Sequence, residues 1–241
     1  MSSPVTPYQG SASSKKAQVE KMFDNIAGTY DLLNHLLSAG IDTRWRKYAI
    51  RQLLDLKPET ILDIATGTGD FAILAAKTLK PKQLIGLDLS EKMLAKAREK
   101  AGKKGLSIDW IKGDSEKLPF ADNTIDAITI GFGVRNFENL QLGLSEVLRV
   151  LRPGGKAVIL EPSKPKKFPM KQLFSFYFHT VLPLVGKIIS KDSSAYTYLP
   201  ESVKVFPEGD TFLDICHQAG FRKTFWQPLT FGICAFYCLE K

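Results

Sequence analysis

The chain has 241 residues, 44% of them apolar, which suits one α/β domain with an elaboration because single domains of this kind reach ~200 to 250 residues. Lysine and arginine outnumber aspartate and glutamate by 33 to 25, and the formal charge of +8 favours an anionic partner such as nucleic acid, lipid headgroups or a phosphorylated ligand. Three cysteines near the C-terminus exclude a disulfide framework and lack zinc-site spacing, so we expect a reducing compartment and no metal. The longest apolar run, 173–186, is shorter than the ~20 residues of a bilayer-spanning helix.

The first part of the chain divides into a tail and a helical cap. Residues 1–14 are small and polar, so we predict a flexible tail rather than a secretory signal, which would need an apolar core. Residues 15–57 are predicted to be helical, since Val19, Met22 and Ile26 recur at helical spacing.

From residue 58 onward, strand-like and helix-like segments alternate with short connections, the pattern of parallel βαβ units. The predicted strands are 60–64, 83–88, 107–112, 125–130 and 156–161, and the predicted helices between them are 70–79, 91–101 and 140–151. A predicted lid or substrate insertion, 162–205, precedes a helix at 209–219, and an antiparallel strand pair, 221–229 with 232–239, ends the chain. The sequence therefore predicts one domain over 15–241, a doubly wound, Rossmann-like α/β fold with a seven-stranded sheet and an N-terminal helical cap.

A glycine-bearing turn, Gly67-Thr68-Gly69, joins the first predicted strand to a helix. Glycine lets the backbone approach a ligand more closely than a Cβ would permit, and the helix offers free N–H groups. Asp88 closes the second strand, where a carboxylate can accept hydrogen bonds from both ribose hydroxyls of an adenosine. A tight turn without a ligand is the alternative for the glycines alone, and Asp88 favours the adenosine site.

Several features favour S-adenosylmethionine over a dinucleotide. The turn lacks the third glycine of G-x-G-x-x-G, and no Gly-Lys-Ser/Thr follows it. Asp63, just before the turn, would repel a pyrophosphate but suits the ammonium group of a methionine moiety. Asp114 and Ser115, at the end of the third strand, suit the adenine amine, with a turn and a helix N-cap as the alternative. These strand ends predict one ligand crevice.

Six further segments carry a family signature. They are Met22-Phe23-Asp24-Asn25-Ile26-Ala27, Tyr30-Asp31-Leu32-Leu33-Asn34, Asp42 with Trp45-Arg46, Gly131-Phe132-Gly133-Val134-Arg135-Asn136, Leu151-Arg152-Pro153-Gly154-Gly155 and Leu160-Glu161-Pro162-Ser163-Lys164-Pro165. Together they resemble the ubiquinone/menaquinone biosynthesis C-methyltransferases, over nearly the whole chain from about Val19 to Glu240.

The resemblance implies a class I methyltransferase that uses S-adenosylmethionine to methylate a carbon of a prenylated quinol. It places the cofactor contacts on Thr68, Asp88, Asp114 and Ser115. The chain departs from the family at Gly131, where some members have a serine near the cofactor, and at Pro162, where the family prefers phenylalanine. Demethylmenaquinol, favoured by overall likeness, and a methoxy-polyprenyl-benzoquinol are the two acceptors that the resemblance allows.

The acceptor ring must be electron-rich, so a cation that stabilises a developing phenolate is expected beside it. Arg135 is the candidate catalytic residue, with a loop-anchoring salt bridge as an equal alternative. Tyr30, Asn34 and His35 in the cap are candidate substrate-binding residues, although a packed or capping histidine is the commoner role for His35.

The predicted lid joins four lysines, at 164, 166, 167 and 171, to an aromatic run, which suits contact with an anionic membrane surface. Cover of the acceptor pocket is the alternative. We therefore expect a cytoplasmic enzyme, free or peripheral at the inner face of the cell membrane. It is expected to bind a prenylated quinol and no nucleic acid, and a homodimer or a quinone-biosynthesis complex are further possibilities.

Three other functions compete with this one. A nicotinamide-dependent reductase is disfavoured by the missing third glycine. The others are a small-molecule or RNA methyltransferase, and a basic module that binds lipid or RNA without catalysis.

Overall fold

The computed structural model describes residues 5–31, 38, 40–181, 192 and 194–241. Its centre is a seven-stranded sheet in the order β3-β2-β1-β4-β5-β7-β6. The strands are β1 (Thr60–Ile64), β2 (Gln83–Asp88), β3 (Asp109–Lys112), β4 (Ile125–Gly131), β5 (Leu151–Pro162), β6 (Lys223–Leu229) and β7 (Cys234–Glu240). β7 runs antiparallel to both of its neighbours, and the other pairs are parallel. The predicted doubly wound sheet with an antiparallel end is confirmed.

Helices flank this sheet. Those in the described part of the chain are α1 (Lys15–Ile26), α2 (Asp42–Arg51), α3 (Asp70–Leu79), α4 (Glu91–Gly102), α5 (Leu140–Val150), α6 (Met170–Phe176), α7 (Ser194–Val205) and α8 (Asp210–Gln218). Side chains of Ser14, Ser90 and Asn139 accept a hydrogen bond from the first turns of α1, α4 and α5, so these three helix starts follow directly from the sequence. Among the described residues, no helix combines the length and apolar character that a bilayer span requires.

The core lies in two layers, one on each face of the sheet. Successive residues of a strand point to opposite faces, so Leu62 and Ile64 of β1 join one buried cluster and Ile61 joins the other. The first cluster packs under α5 and α8, and the second under α2 and α3. Because both faces are covered, the inner strands are mostly apolar, and Asp63 in β1 and Thr129 in β4 are buried polar exceptions.

β5 differs from the sequence-based prediction, which treated Leu151–Gly155 as a turn and began the strand at 156. In the structure α5 ends at Val150 and Leu151 already pairs with Ile125 of β4. A register shift between Ile125 and Ala127 absorbs the extra residues, and Gly154 adopts the positive φ of 76° that this shift requires.

The N-terminal residues 5–14, predicted as a flexible tail, make defined contacts in the structure. The Tyr8 backbone N–H donates to Oε1 of Gln18 at 2.9 Å, its hydroxyl donates to Asp192, and Lys21 lies 5.3 Å from its ring centroid. These contacts bring the segment against α1 and the start of α7. Part of the predicted lid, 182–191 and 193, lies outside the described residues.

Candidate active site

A crevice of about 700 Å³ opens at the carboxyl ends of β1 to β4. Gly67 follows β1, Asp88 ends β2, and Asp114 with Ser115 follows β3, and all four residues line the crevice. The crevice lies where the strand order reverses between β1 and β4, which is the place where open α/β sheets bind ligands. The structure therefore brings together four of the residues that the sequence predicts for the cofactor.

Asp88 is held in a fixed orientation at the floor of this crevice. Its Oδ2 accepts a hydrogen bond from the Gly67 N–H at 2.8 Å, and its Oδ1 accepts one from the Ser90 N–H at 2.9 Å. Burial raises the pKa of Asp88 to about 6, opposed by these backbone hydrogen bonds. At neutral pH the carboxylate is ionised and directed toward the crevice, where it can accept hydrogen bonds from vicinal hydroxyls.

The two glycines of the turn have different physical roles. Gly67, at φ 55°, lines the crevice and presents its N–H to Asp88. Gly69, at φ 81°, is required by packing, because a Cβ there would lie 2.7 Å from the Trp110 ring. Gly86 on β2 leaves space for the same ring, since its Cβ would lie 2.5 Å from Trp110. Trp110 thus fits under the turn against two glycines, and Gly69 is not among the residues that line the crevice.

Asp63 supports the turn from below. Its carboxylate is 1% exposed and accepts hydrogen bonds from the hydroxyls of Thr66 and Thr129 and from the Ala72 N–H. Burial raises its pKa to about 6, and the same hydrogen bonds oppose the shift. Asp63 lines a smaller cavity of about 350 Å³ rather than the crevice that contains Asp88.

Thr68 also lines the smaller cavity, and it joins the glycine turn to the cap. Its hydroxyl donates to Asp31 at 2.5 Å, and Lys100 of α4 donates to Asp31 at 2.8 Å, to Thr68 at 3.1 Å and to Asp70 at 2.5 Å. The sequence contains no local signal for this cluster, because Lys100 lies about thirty positions from Thr68 and Asp70 and farther from Asp31.

α1 lies across the crevice and is tied down along one face. The contacts are Lys16 Nζ to Asp114 Oδ2 at 2.5 Å, Lys112 Nζ to Glu20 Oε1 at 2.7 Å and Ser90 Oγ to Asp24 Oδ1 at 2.5 Å. The α1 residues are four positions apart and therefore share one helix face. The four-residue spacing of these polar residues is visible in the sequence, beside the apolar spacing from which the helix was predicted.

A second, apolar cavity adjoins the crevice. Residues of α1, α2, α6 and α7 line it, so the cap and the lid together enclose it. Tyr30 and Phe132 line this cavity, the crevice and the smaller cavity alike. Of the predicted substrate residues, Tyr30 is thus placed at the junction, and Asn34 and His35 lie outside the described residues.

Phe132 occupies this junction in a strained backbone conformation. Its φ is 61°, which a bulky side chain seldom adopts. The glycines beside it have no free space, because a Cβ would lie 3.0 Å from Phe71 at Gly131 and 2.6 Å from the Ala65 Cβ at Gly133. The close packing of both glycines therefore holds the Phe132 ring between the cavities.

Arg135 lines the apolar cavity and makes the ion pair that the sequence analysis offered as an alternative. Its Nη1 donates to Glu161 Oε2 at 2.9 Å and to the Phe132 carbonyl, and its backbone N–H donates to Glu161 Oε1 at 3.2 Å. Burial raises the pKa of Glu161, and the Arg135 charge opposes this shift. Nε of Arg135 is buried and has no hydrogen-bond partner among the described residues.

The donor set of the crevice fits S-adenosylmethionine. Asp88 offers the carboxylate that a ribose needs, Gly67 offers close backbone approach, and Asp114 and Ser115 offer polar atoms at the adjacent strand end. The described part of the chain contains no group of three or more His, Cys, Asp or Glu side chains that could hold a metal ion.

Comparison with known proteins identifies a matching family and similar relatives. The model of the ubiE/COQ5 methyltransferase family matches residues 11–241. A demethylmenaquinone methyltransferase of Bacteroides fragilis is 52% identical, over 98% of this chain and 97% of that protein. The ubiquinone/menaquinone biosynthesis C-methyltransferase UbiE of Geobacter sulfurreducens is 43% identical, over 98% of this chain and 93% of that protein.

Solved structures agree on the fold. A methyltransferase of Thermotoga maritima, described as S-adenosylmethionine-dependent and possibly acting on histamine, has a TM-score of 0.65 at 19% identity and covers 92% of this chain and 99% of its own. A phosphoethanolamine N-methyltransferase of Haemonchus contortus, solved with S-adenosylmethionine, has a TM-score of 0.55 at 18% identity and covers 76% of this chain and 48% of its own. At these identities the two structures show that the fold is that of S-adenosylmethionine-dependent methyltransferases.

Proposed function

The chain belongs to the ubiE/COQ5 methyltransferase family and is therefore an S-adenosylmethionine-dependent methyltransferase of menaquinone/ubiquinone biosynthesis, and we propose that it methylates the ring of demethylmenaquinol to give menaquinol. The observation that carries this choice of acceptor class is the apolar cavity that meets the cofactor crevice at Tyr30 and Phe132. Its aromatic and aliphatic lining suits a fused aromatic ring with the first part of a prenyl tail.

The benzoquinol of the ubiquinone pathway is a second candidate acceptor. The relative from Geobacter sulfurreducens is named for both ubiquinone and menaquinone biosynthesis, and this supports the benzoquinol as a candidate acceptor. The relative with 52% identity is named for demethylmenaquinone alone, and this favours the naphthoquinol.

S-adenosylmethionine supplies, when bound, a methyl group on a positively charged sulfur. In the transfer, the acceptor carbon would bond to the methyl carbon while the methyl–sulfur bond breaks and leaves a neutral thioether. The hydroxyl beside that carbon would first release its proton to water, so that its oxygen carries the negative charge, and the ring carbon would then release its own proton to water as the oxygen regains one. Arg135 stabilises that oxygen, since its guanidinium stays charged and the residue lines the apolar cavity. Tyr30 and Phe132 position the ring at the junction, and the apolar walls exclude water, so the chain contributes mainly alignment and electrostatics.

A membrane contact through the lid is part of the proposal. α6 leaves several large apolar side chains in solvent: Phe168, just before it, is 81% exposed, and Leu173 and Phe176 are 58% and 63% exposed. Lys164, Lys166, Lys167 and Lys171 precede or interleave with them. Exposed aromatic residues beside lysines suit an anionic bilayer surface, where a prenylated acceptor resides. This supports a cytoplasmic enzyme peripheral to the inner face of the cell membrane.

The substrate proposal is tested by incubating the protein with methyl-labelled S-adenosylmethionine and each reduced quinone in turn, and identifying the product by mass. We expect label in menaquinol from demethylmenaquinol, and less or none in the benzoquinol product. A bulk RNA sample serves as the control acceptor. Label in RNA, or in neither quinol, would contradict the proposal.

A further inference from the structure

A second arginine faces the acceptor cavity. Arg46 of α2 is 7% exposed and lines both the apolar cavity and the smaller cavity under the glycine turn. Its guanidinium carbon lies 5.7 Å from the centroid of the Phe132 ring, within cation–π range. Arg135 donates to the backbone carbonyl of the same Phe132. Among the described residues that line the apolar cavity, these two arginines are the only cations.

Arg46 is neutralised by a neighbour on its own helix. Its Nη1 donates to Asp42, and the two side chains are 9% and 4% exposed. Asp42 also accepts a hydrogen bond from Ser38 at 2.7 Å. A guanidinium carries five N–H donors, and in the described part of the chain Arg46 donates only to Asp42. Arg46 thus retains donors at the wall of the acceptor cavity.

The pairing Arg46–Asp42 repeats the pairing Arg135–Glu161. Each arginine is buried, each is balanced by a carboxylate, and the two ion pairs approach Phe132 through different groups, its ring and its carbonyl. A cavity with two neutralised guanidinium groups suits a neutral aromatic ring that carries two separated oxygen atoms. A hydroquinone is such a ring, since its hydroxyls are para to each other.

We infer that Arg46 binds the ring oxygen of the acceptor that is para to the oxygen stabilised by Arg135, and so selects dihydroxy rings over monohydroxy rings. This inference rests on the proposed function and adds a specificity-determining residue to it. A site built to donate to a hydroxyl rejects an analogue without it, because the buried donor is then left without a partner. Arg46 also fixes the ring in register, so that one carbon faces the crevice.

The test compares two acceptors with short prenyl tails under anaerobic conditions. One is 2-prenyl-1,4-naphthoquinol, and the other is 3-prenyl-1-naphthol, which keeps the hydroxyl beside the methylated carbon and lacks the para hydroxyl. Kd is measured by quenching of tryptophan fluorescence, since Trp45 lines the same cavity, and kcat and KM are measured with labelled cofactor. We expect the wild-type enzyme to prefer the quinol by about tenfold or more in Kd.

Arg46→Met keeps the length of the side chain and its contact with Phe132 but removes the donors. We expect the preference for the quinol to fall to about one, through weaker quinol binding and unchanged naphthol binding. The double variant Asp42→Asn/Arg46→Met removes both charges and guards against misfolding caused by an unpaired buried carboxylate. Arg44→Met on the exposed face of α2 is the matched control and should bind like the wild type.

Equal weakening of both acceptors in a folded variant would mean that Arg46 has only a structural role, and an unchanged preference would mean that it does not touch the acceptor. Either result overturns the inference. Failure of the wild-type enzyme to methylate any reduced quinone would instead overturn the proposed function, so the two failures are distinguishable.

Discussion

Asp63 and Asp88 end up in similar electrostatic environments with different tasks. Burial raises the pKa of each to about 6, and each accepts backbone or hydroxyl hydrogen bonds that oppose the shift. The carboxylate oxygens of Asp63 accept hydrogen bonds inside the protein, from the hydroxyls of Thr66 and Thr129 and from the Ala72 N–H. Asp88 lines the crevice, so its remaining lone pairs are available to a ligand. Position along the strand, rather than ionisation, distinguishes the two carboxylates.

We predict that Asp88→Ala raises the Kd for S-adenosylmethionine at least tenfold while the fold persists. A hydrogen bond to a charged group contributes about 1.5 to 3 kcal/mol, and 1.4 kcal/mol corresponds to a factor of ten. Isothermal titration calorimetry measures the Kd, and circular dichroism checks the fold. Asp55→Ala, at an exposed position after α2, is the control. Unchanged titration of the Asp88 variant would remove Asp88 from the cofactor site.

Arg135 forms an ion pair with Glu161 and also lines the acceptor cavity. A lysine at this position can keep the ion pair but does not present a planar guanidinium to the cavity. We predict that Arg135→Lys lowers kcat about tenfold to a hundredfold with little change in cofactor Kd, because a point charge cannot reproduce the planar guanidinium fork that lines the cavity. Steady-state kinetics and calorimetry provide the two measurements. Arg152→Lys, which changes a surface ion pair with Asp126, is the matched control. If both variants turn over like the wild type, Arg135 only anchors its loop.

At the scale of elements, polar contacts fasten the first part of the cap, α1 and Asp31, to the strand ends and to α4. α1 is held over the crevice through Lys16, Glu20 and Asp24, and the residues after it are held through Asp31 by Lys100. Lys100 also contacts the glycine turn, so one side chain of α4 positions cap and turn together. Cap docking and cofactor binding should therefore be energetically coupled.

We predict that Lys100→Met raises the Kd for S-adenosylmethionine about fivefold and accelerates proteolysis within the cap, because the turn and the cap lose their shared partner. The control is Lys103→Met, directly after the same helix, whose side chain is 72% exposed and pairs with Glu99 on the surface. Limited proteolysis with and without cofactor follows the coupling. Identical cleavage of the Lys100 variant and the wild type would show that the cluster does not hold the cap.

At the scale of the whole molecule, charge and apolar exposure coincide at the lid. The lysines at 164, 166, 167 and 171 accompany the exposed side chains of Phe168, Leu173 and Phe176. The apolar cavity lies directly behind, since Leu173 and Phe174 line it. The lid surface therefore offers a short path from a bilayer to the acceptor site.

We predict that the protein sediments with anionic vesicles and much less with neutral ones, and that Glu at positions 164, 166 and 167 abolishes the difference. Each lysine near an anionic surface contributes about 1 kcal/mol to the free energy of membrane binding. Changing three of the four lid lysines to glutamate makes the net charge of the four positions negative, so the electrostatic attraction of the lid is lost. Glu at positions 77, 80 and 82, an equal charge change on the surface around the end of α3, should leave binding largely intact. Negligible binding to both vesicle types would leave the lid as a cover for the cavity.

Much of this molecule follows from local patterns in the chain. The alternation of strands and helices predicted the sheet, its antiparallel end and the crevice at the switch point, because period-2 and helical spacing are properties of short segments. The sequence alone assigns four residues to one crevice, because parallel strands bring their carboxyl ends to the same edge of a sheet: Gly67, Asp88, Asp114 and Ser115. Their role as cofactor ligands stays a prediction.

Contacts between distant segments decided the rest. Trp110 explains Gly69, Lys100 joins Asp31 to the glycine turn, and Arg46 meets Phe132 across more than eighty positions, and no local pattern contains these pairings. The sequence by itself determined the layers, the crevice and the class of cofactor, because those depend on the order and polarity of segments. The tertiary structure alone decided which charges face each cavity, because buried ion pairs form wherever packing brings two side chains together.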